Sequence, residues 1–187
     1  MRVLLDFCMH DAYYIYMNKD SEQCFEDLAK SYPELMEKSR IGDHLGVGVG
    51  WFNIIDALCA NIYSPFYSAK SRLKAATDYP RDDGGIYLAK CEITYAKELE
   101  DLPEIVQIKE KFGALRFYIS NTTDRVETLI EFAESMSRRT CEVCGKPGSL
   151  DDEGGWMKTQ CEDHSRKSKV AETQDGRVSA KFQDDEV

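Results

Sequence analysis

Histidine is scarce in this sequence, with three copies among 187 residues, and one of the three lies in a metal-binding pattern. Histidine is the side chain that most often transfers protons at neutral pH. Asp43 and His44 form a candidate acid/base pair, but a nuclease of the HNH type would place further histidines beside a metal knuckle. The scarcity of histidine therefore argues against that class and favours a protein that is not an enzyme.

Long apolar runs are also missing from the chain. No stretch reaches the roughly 20 apolar residues of a membrane-spanning helix, and Asp6 interrupts the region where a secretory signal needs continuous apolar sequence. Acidic residues outnumber basic ones by 34 to 24, a formal net charge of −10, which disfavours general attraction to nucleic-acid phosphates. We therefore expect a soluble, cytoplasmic protein without membrane partners or general nucleic-acid binding, and a homo-oligomer is compatible with this composition.

The glycine signatures of common nucleotide-binding folds are absent as well. Gly46, Gly48 and Gly50 precede an apolar helical pattern, and backbone N–H groups at the start of a helix can hold an anion. These glycines follow neither the Rossmann spacing nor the phosphate-binding loop with its Lys-Ser/Thr pair. A flexible turn is the expected role of this segment.

The apolar residues that are present repeat with helical spacing in most of the chain and alternate in one segment. The predicted helices are one capped by Ser21, a shorter one from Pro33, one from Trp51 to Ile62, one restarting at Ser64 and Pro65, and one capped by Asp124. Alternation from Ile105 to Ser120, interrupted by Gly113, predicts a β-hairpin. Residues 86–100 fit a strand or a helix. The predicted fold class is α+β, with helices packed on a small antiparallel sheet.

Three cysteines and a histidine near the C-terminus form the most specific motif. Cys141 and Cys144 are one half-site, and Cys161 and His164 are the other, each with two intervening residues. Zinc prefers four such sulfur and nitrogen ligands in a tetrahedron, and this spacing lets each pair converge on one ion. Because four protein ligands leave no position for water, we expect a single structural zinc ion per chain.

The surroundings of these ligands predict a treble-clef-like zinc module, because the glycine-rich stretch between the half-sites suits a hairpin. The predicted divisions are an α+β domain over residues 1–139, a zinc module packed on it over 140–165, and a polar tail over 166–187. The alternatives are a chance cluster or redox activity of Cys141 and Cys144, which would need a thioredoxin-like βαβ setting that is absent here. The remaining cysteines lie singly among apolar residues, as reduced buried thiols do: Cys8, Cys24, Cys59 and Cys91.

A basic cluster on the predicted hairpin is the candidate ligand site. Its members, which alternation places on one face, are Lys109, Lys111, Arg116 and Tyr118. Positive charge beside an aromatic ring can hold a phosphate and stack a base. The alternative is a solvated sheet face whose charges pair with acidic neighbours such as Glu104 and Glu110.

Three segments, taken together and in order, resemble a known group of sequences. They are Gly50-Trp-Phe-Asn-Ile-Ile55, Gln107-Ile-Lys-Glu-Lys-Phe-Gly-Ala-Leu-Arg-Phe-Tyr118, and the pattern of Cys141, Cys144 and Gly145 followed by Gly155-Trp156, Cys161 and His164. This combination resembles a family of small proteins encoded by tailed bacteriophages and prophages, and the resemblance covers roughly residues 25–164. The resemblance implies a viral accessory protein in the cytoplasm of an infected bacterium, and it implies no particular reaction or catalytic residue.

The function that follows from the resemblance is a non-enzymatic, zinc-binding accessory protein that counteracts host immunity by binding a nucleotide-like signal or a host protein. A nucleotide would use the basic cluster, and a host protein would meet the acidic surface. Two other classes stay open. If the protein is a nucleic-acid-associated zinc adaptor, we expect salt-sensitive DNA binding despite the net charge of −10. If the protein is a nucleotide hydrolase, we expect turnover of a nucleotide that is lost when Asp43 or His44 is substituted.

Overall fold

The computed structural model describes residues 21–42, 45–152 and 155–165. Its helices are α1 (residues 21–31), α2 (Pro33–Glu37), α3 (Phe52–Asp78), α4 (Ile86–Asp101) and α5 (Asp124–Ser137). Its strands are β1 (Glu104–Lys111), β2 (Ala114–Ser120), β3 (Ser149–Asp151) and β4 (Lys158–Gln160). The strand pairs β1–β2 and β3–β4 are both antiparallel. The predicted α+β class, with helices on a small antiparallel sheet, is confirmed.

Helix α3 is one continuous helix of 27 residues, so the predicted restart at Ser64 and Pro65 is wrong. A proline lacks the backbone N–H, and this leaves the carbonyl of Asn61 without its helical partner. The guanidinium of Arg125, on α5, donates to that carbonyl at 3.1 Å. Buried residues also precede and follow the proline along α3, so one face of the helix stays in the core. Tertiary contacts therefore continue the helix through a residue that locally disfavours it.

Replacing Pro65 with alanine is expected to stabilise the protein by about 2 kcal/mol, because the new N–H can donate to the carbonyl of Asn61. A proline inside a helix costs about 3 kcal/mol, of which it returns about 0.4–1 kcal/mol by restricting the unfolded chain. Urea unfolding followed by circular dichroism measures the change, with the exposed neighbour Ser64→Ala as control. A lower unfolding midpoint for Pro65→Ala would contradict this account of α3.

The segment whose pattern fits either a strand or a helix is helix α4. The turn before it contains Asp83, whose carboxylate accepts from the N–H of Tyr87 at 3.1 Å in the first turn of the helix. Cys91 is buried, and Tyr95 packs on Phe66 of α3 with ring centroids 5.5 Å apart. The buried face therefore follows the four-residue spacing of Cys91 and Tyr95, which is typical of a helix, and not the alternation typical of a strand.

Strands β1 and β2 form the predicted hairpin, in a register that sets Lys109 opposite Arg116. Its two-residue turn is Phe112 and Gly113, both with positive φ, 55° and 71°. Turns of this kind match the twist of the strands. The hairpin contributes four fully or nearly fully buried side chains to the core, namely Ile105, Ile108, Leu115 and Phe117.

Helix α5 covers the outer edge of β2. The N–H of Leu115 donates to Ser137 Oγ at 2.9 Å, and the N–H of Phe117 donates to Glu134 Oε1 at 3.3 Å. Ser137 is fully buried, so its hydroxyl satisfies a strand donor that has no access to water. Side chains of the helix thus take the place of a third strand.

A backbone segment covers the outer edge of β1. The N–H of Arg40 donates to the carbonyl of Ile105 at 2.8 Å, and the N–H of Glu110 donates to the carbonyl of Gly46 at 3.2 Å. A methyl carbon on Gly46 would lie 2.8 Å from the carbonyl oxygen of Ile108. This approach therefore requires glycine.

Two predicted helix caps differ from the structure. The cap of α5 is Thr123, whose hydroxyl accepts from the N–H of Val126 at 3.4 Å, and Asp124 is the first helical residue. Ser21 is already helical, and its buried hydroxyl donates to the carbonyl of Leu45 at 2.6 Å and accepts from its N–H at 2.7 Å. Threonine and aspartate are both good caps, and a contact 24 residues away is invisible to a local pattern.

The hydrophobic core joins the helices to the hairpin. Its largest fully buried side chains are Trp51, Phe66, Leu28, Leu35, Ile55, Ile105 and Leu115. Within the described ranges, no helix has both the length and the apolar character needed to cross a bilayer. The predictions for Asp43, His44 and the tail over residues 166–187 lie outside the described residues.

Candidate metal centre

Two tight turns present the predicted metal ligands. Cys141 begins the knuckle (residues 141–145), which closes when the N–H of Gly145 donates to the carbonyl of Cys141 at 2.9 Å. Gly145 has φ of 76°, a conformation that favours glycine. In the second turn, the N–H of His164 donates to the carbonyl of Cys161 at 3.0 Å. The paired strands β3 and β4 lie between the two turns in sequence, as the predicted hairpin requires.

The four ligand atoms lie within 4.8 Å of one another. Cys144 Sγ is 3.7 Å from Cys161 Sγ, and His164 Nδ1 is 3.5 Å from Cys141 Sγ and 3.2 Å from Cys161 Sγ. Zinc bonds of about 2.3 Å to sulfur and about 2.0–2.1 Å to nitrogen give tetrahedral edges of about 3.8 Å between sulfurs and about 3.5 Å between sulfur and nitrogen. Two distances match these edges, and the third is somewhat shorter. The cluster can therefore hold one metal ion, and its donors fit zinc.

The ligands differ in their access to solvent. Cys141 and Cys161 are buried, His164 is half-buried, and Cys144 is exposed. Four protein donors complete a tetrahedron, so a metal bound here would have no coordination position left for water or substrate. This arrangement suits a metal that holds two turns together.

The surroundings of Cys141 and Cys144 shift the pKa values of their thiols in opposite directions. Burial opposes ionisation of Cys141, but the backbone N–H groups of Cys161, Cys144 and Val143 point at its sulfur and hold its pKa below the usual value. Burial raises the pKa of the Cys144 thiol, and the sulfurs of Cys141 and Cys161 add to that rise. Thiolates this close together repel one another, and a divalent cation between them removes the repulsion.

The knuckle is attached to the residues immediately before α3, a contact that sequence analysis did not predict. The N–H of Gly50 donates to the carbonyl of Glu142 at 2.9 Å, and the indole N–H of the fully buried Trp51 donates to the carbonyl of Thr140 at 2.7 Å. A methyl carbon on Gly50 would lie 2.2 Å from the carbonyl oxygen of Cys141. The expected flexible turn is therefore a site of close backbone contact, and the N–H of Gly50 is not free for an anion.

A buried ion pair lies beside the metal ligands and was also missed by sequence analysis. Glu142 is 3% exposed, and its carboxylate accepts from Lys158 Nζ at 2.6 Å. Burial raises the pKa of the Glu142 carboxyl, and the ammonium of Lys158 opposes that rise. The neighbouring Thr159 donates its hydroxyl to the carbonyl of Gly113 at the tip of the β1–β2 hairpin. The metal-binding segment therefore contacts both α3 and the hairpin.

The basic cluster lies on one face of the hairpin, as predicted, with Lys109 opposite Arg116. Lys109 Nζ is 5.0 Å from the ring centroid of Tyr118, within range of a cation–π contact. Arg116 Nη1 donates to Glu134 Oε2 at 3.1 Å, so α5 already compensates its charge. Of the two cations that face each other, Lys109 is the one in contact with the aromatic ring.

The acidic residues named as alternative partners of this cluster are engaged elsewhere. The carboxylate of Glu104 is paired with Arg40, and it accepts from Ser120 Oγ at 3.1 Å. The carboxylate of Glu110 accepts from the N–H of Gly113 at 2.6 Å. Ligand binding by the basic cluster stays a prediction.

Within the described residues, the thiols outside the metal cluster have the surroundings of structural residues, and the prediction for Cys8 lies outside those residues. Cys59 is fully buried on α3, and burial together with the charge of Asp56 raises the pKa of its thiol to about 12. The thiolate needed for nucleophilic attack is then not populated at neutral pH. Cys91 is buried on α4, and Cys24 is half-buried against the core.

Comparison of the chain with protein-family models, curated proteins and solved structures finds no match.

Proposed function

We propose that the ion held by Cys141, Cys144, Cys161 and His164 is zinc and that its role is structural. The observation that carries this proposal is the complete set of four protein donors at tetrahedral spacing. Sulfur and imidazole ligands favour zinc over the oxygen-preferring cations. With no open coordination position, the ion stabilises the surfaces around it, and the chain acts as a non-enzymatic binding protein.

The biological role in this proposal is that of a bacteriophage accessory protein that counteracts host immunity. Its support is the combination of the Gly50-Trp51 segment, the hairpin sequence ending at Tyr118 and the Cys₃His motif, which resembles phage and prophage proteins. The ligand in this proposal is a nucleotide-like signal, because the hairpin places Lys109 against Tyr118. An ammonium beside an aromatic ring can contact a phosphate while the ring stacks on a base.

Isothermal titration calorimetry with adenine- and guanine-based cyclic nucleotides tests this role. We expect saturable heat, and we expect Lys109→Gln to weaken binding about tenfold or more, because it removes a charged hydrogen-bond donor. The control is Lys74→Gln, which changes an exposed lysine on α3 that is paired with Asp78. Arg116 is less suitable, since its loss would leave Glu134 without its cation. Equal affinities for Lys109→Gln and the unsubstituted chain would contradict the hairpin-face site.

A host protein is the second candidate ligand. The net charge of −10 and exposed apolar side chains such as Ile93 on α4 are the observations that favour it. Affinity capture from infected cells, followed by mass spectrometry and reconstitution with the purified partner, tests it. The partner's surface should be basic, and the complex should weaken as salt is raised.

A further inference from the structure

A groove lies where the tip of the β1–β2 hairpin meets the segment that precedes β4. It has a volume of about 420 Å³ and is lined by Glu110, Lys111, Phe112, Gly155, Trp156 and Met157. Sites for small molecules commonly have volumes of about 300–1,000 Å³ and combine apolar and aromatic walls with a few polar groups. This groove has that composition, and none of the predicted binding residues other than Lys111 belongs to it.

The conformation of Phe112 is the most unusual feature of the groove. Its φ is 55°, in the left-handed region, and its side chain is 66% exposed. A bulky residue rarely adopts this conformation, and asparagine, aspartate or glycine is usual at this turn position. The backbone of Phe112 is therefore strained, and its ring is not buried in the core. Such strain at an exposed position is typical of sites that contact a ligand.

Two further large apolar side chains of the groove are exposed. Trp156 is 63% exposed and Met157 is 42% exposed, and both belong to the segment held by β4 and the metal ligands. Trp51, the other tryptophan of the chain, is fully buried. The groove thus presents two aromatic rings and a thioether to solvent, together with one lysine and one glutamate.

We propose that this groove binds the heteroaromatic base of a nucleotide, with the base against Phe112 and Trp156 and the phosphate near Lys111. Flat rings stack on any base, and the lysine supplies the charge that a phosphate requires. The carboxylate of Glu110, held by the N–H of Gly113 at 2.6 Å, can accept a hydrogen bond from an amino group of the base. The inference rests on the proposed function for the class of ligand, a nucleotide. It places the base in the groove instead of against Tyr118.

Tryptophan fluorescence tests the groove directly, because Trp156 is the exposed tryptophan. The probes are AMP, GMP and the two 3′,5′-cyclic monophosphates, with ribose 5-phosphate as the ligand that has no base. We expect the nucleotides to quench the exposed, red-shifted component in a saturable manner and ribose 5-phosphate to leave it unchanged. No quenching by any of the four nucleotides at millimolar concentration would overturn the groove.

Phe112→Gly separates the loss of the ring from a loss of folding, because glycine adopts positive φ without strain. We expect it to weaken nucleotide binding about tenfold or more, the effect of losing one stacking ring, while thermal unfolding occurs at the same or a higher temperature. The matched control is Phe132→Ala, which removes a ring of equal exposure, 66%, on α5. Unchanged affinity in Phe112→Gly would overturn the proposal.

The same titrations distinguish the groove from the hairpin face. A loss of affinity in Phe112→Gly but not in Lys109→Gln supports the groove and places the base away from Tyr118. A loss in Lys109→Gln but not in Phe112→Gly overturns the groove and leaves the proposed function intact. If the zinc-containing protein captures a host protein and no nucleotide quenches its tryptophan fluorescence, nucleotide binding is overturned both in the groove and on the hairpin face.

Discussion

Cys144→Ser is expected to abolish stoichiometric zinc binding and to lower the free energy of unfolding by about 4 kcal/mol, the contribution of a ligand present at about 1,000 times its Kd. Cys144 is exposed, so the loss should reflect the metal rather than a cavity. The effect should reach beyond the knuckle, because the carbonyl of Glu142 accepts a hydrogen bond from the N–H of Gly50, two residues before α3. Atomic emission spectroscopy and urea unfolding measure the two quantities.

The control for this substitution is Cys91→Ala, which removes a buried thiol on α4 far from the cluster in sequence. It should retain one zinc ion per chain. A strong chelator added to the unsubstituted protein should reproduce the effect of Cys144→Ser, and added zinc should reverse it. Full zinc content in Cys144→Ser, or unchanged stability after the metal is removed, would contradict a structural zinc centre.

Gly50→Ala is expected to destabilise the protein by about 3 kcal/mol, at the upper end of the cost of inserting a methyl group into a packed site. The added carbon would lie 2.2 Å from the carbonyl oxygen of Cys141, 2.6 Å from the nitrogen of Gly145 and 2.7 Å from the nitrogen of Cys144. All three atoms are backbone, so no side chain can rotate away. The knuckle must shift, and zinc affinity should fall with stability.

Gly42→Ala is the matched control for Gly50→Ala. A methyl carbon on Gly42 meets no atom within 4 Å, so its effect should stay within about 0.5 kcal/mol. Thermal unfolding and competition with a zinc-binding dye measure stability and zinc affinity in both variants. If Gly50→Ala kept the stability and zinc affinity of Gly42→Ala, the contact between α3 and the knuckle would not contribute to either.

Local sequence patterns predicted most of the elements because those elements depend on short-range periodicity. The alternation between Ile105 and Ser120 is a property of two short strands, of eight and seven residues, and it is present in the paired hairpin. The continuity of α3 through Pro65 could not be predicted, since the carbonyl left free at Asn61 is satisfied by Arg125 on another helix. Pattern-based predictions are wrong where a distant side chain replaces a local bond.

The same distinction applies to the metal centre. Spacings of two residues identify all four residues of the candidate metal cluster, because a metal knuckle is a local structure. The contact of Gly50 with Cys141 and the pairing of Glu142 with Lys158 join residues far apart in sequence. For this reason the pattern of glycines before a helix predicts only a flexible turn, although the small size of Gly50 allows a close backbone approach. The exposed ring of Phe112 likewise has no local signature.

The covered edges of the β1–β2 hairpin restrict how a partner can be recognised. Many proteins capture an extended peptide by adding it as a new strand to an open sheet edge. In this chain, the N–H groups of Leu115 and Phe117 already donate to α5, and the carbonyl of Ile105 already accepts from Arg40. Strand addition would have to break these bonds first. Recognition should therefore depend on side-chain chemistry and be sensitive to single substitutions, and the same closed edges protect the hairpin from joining copies into fibrils.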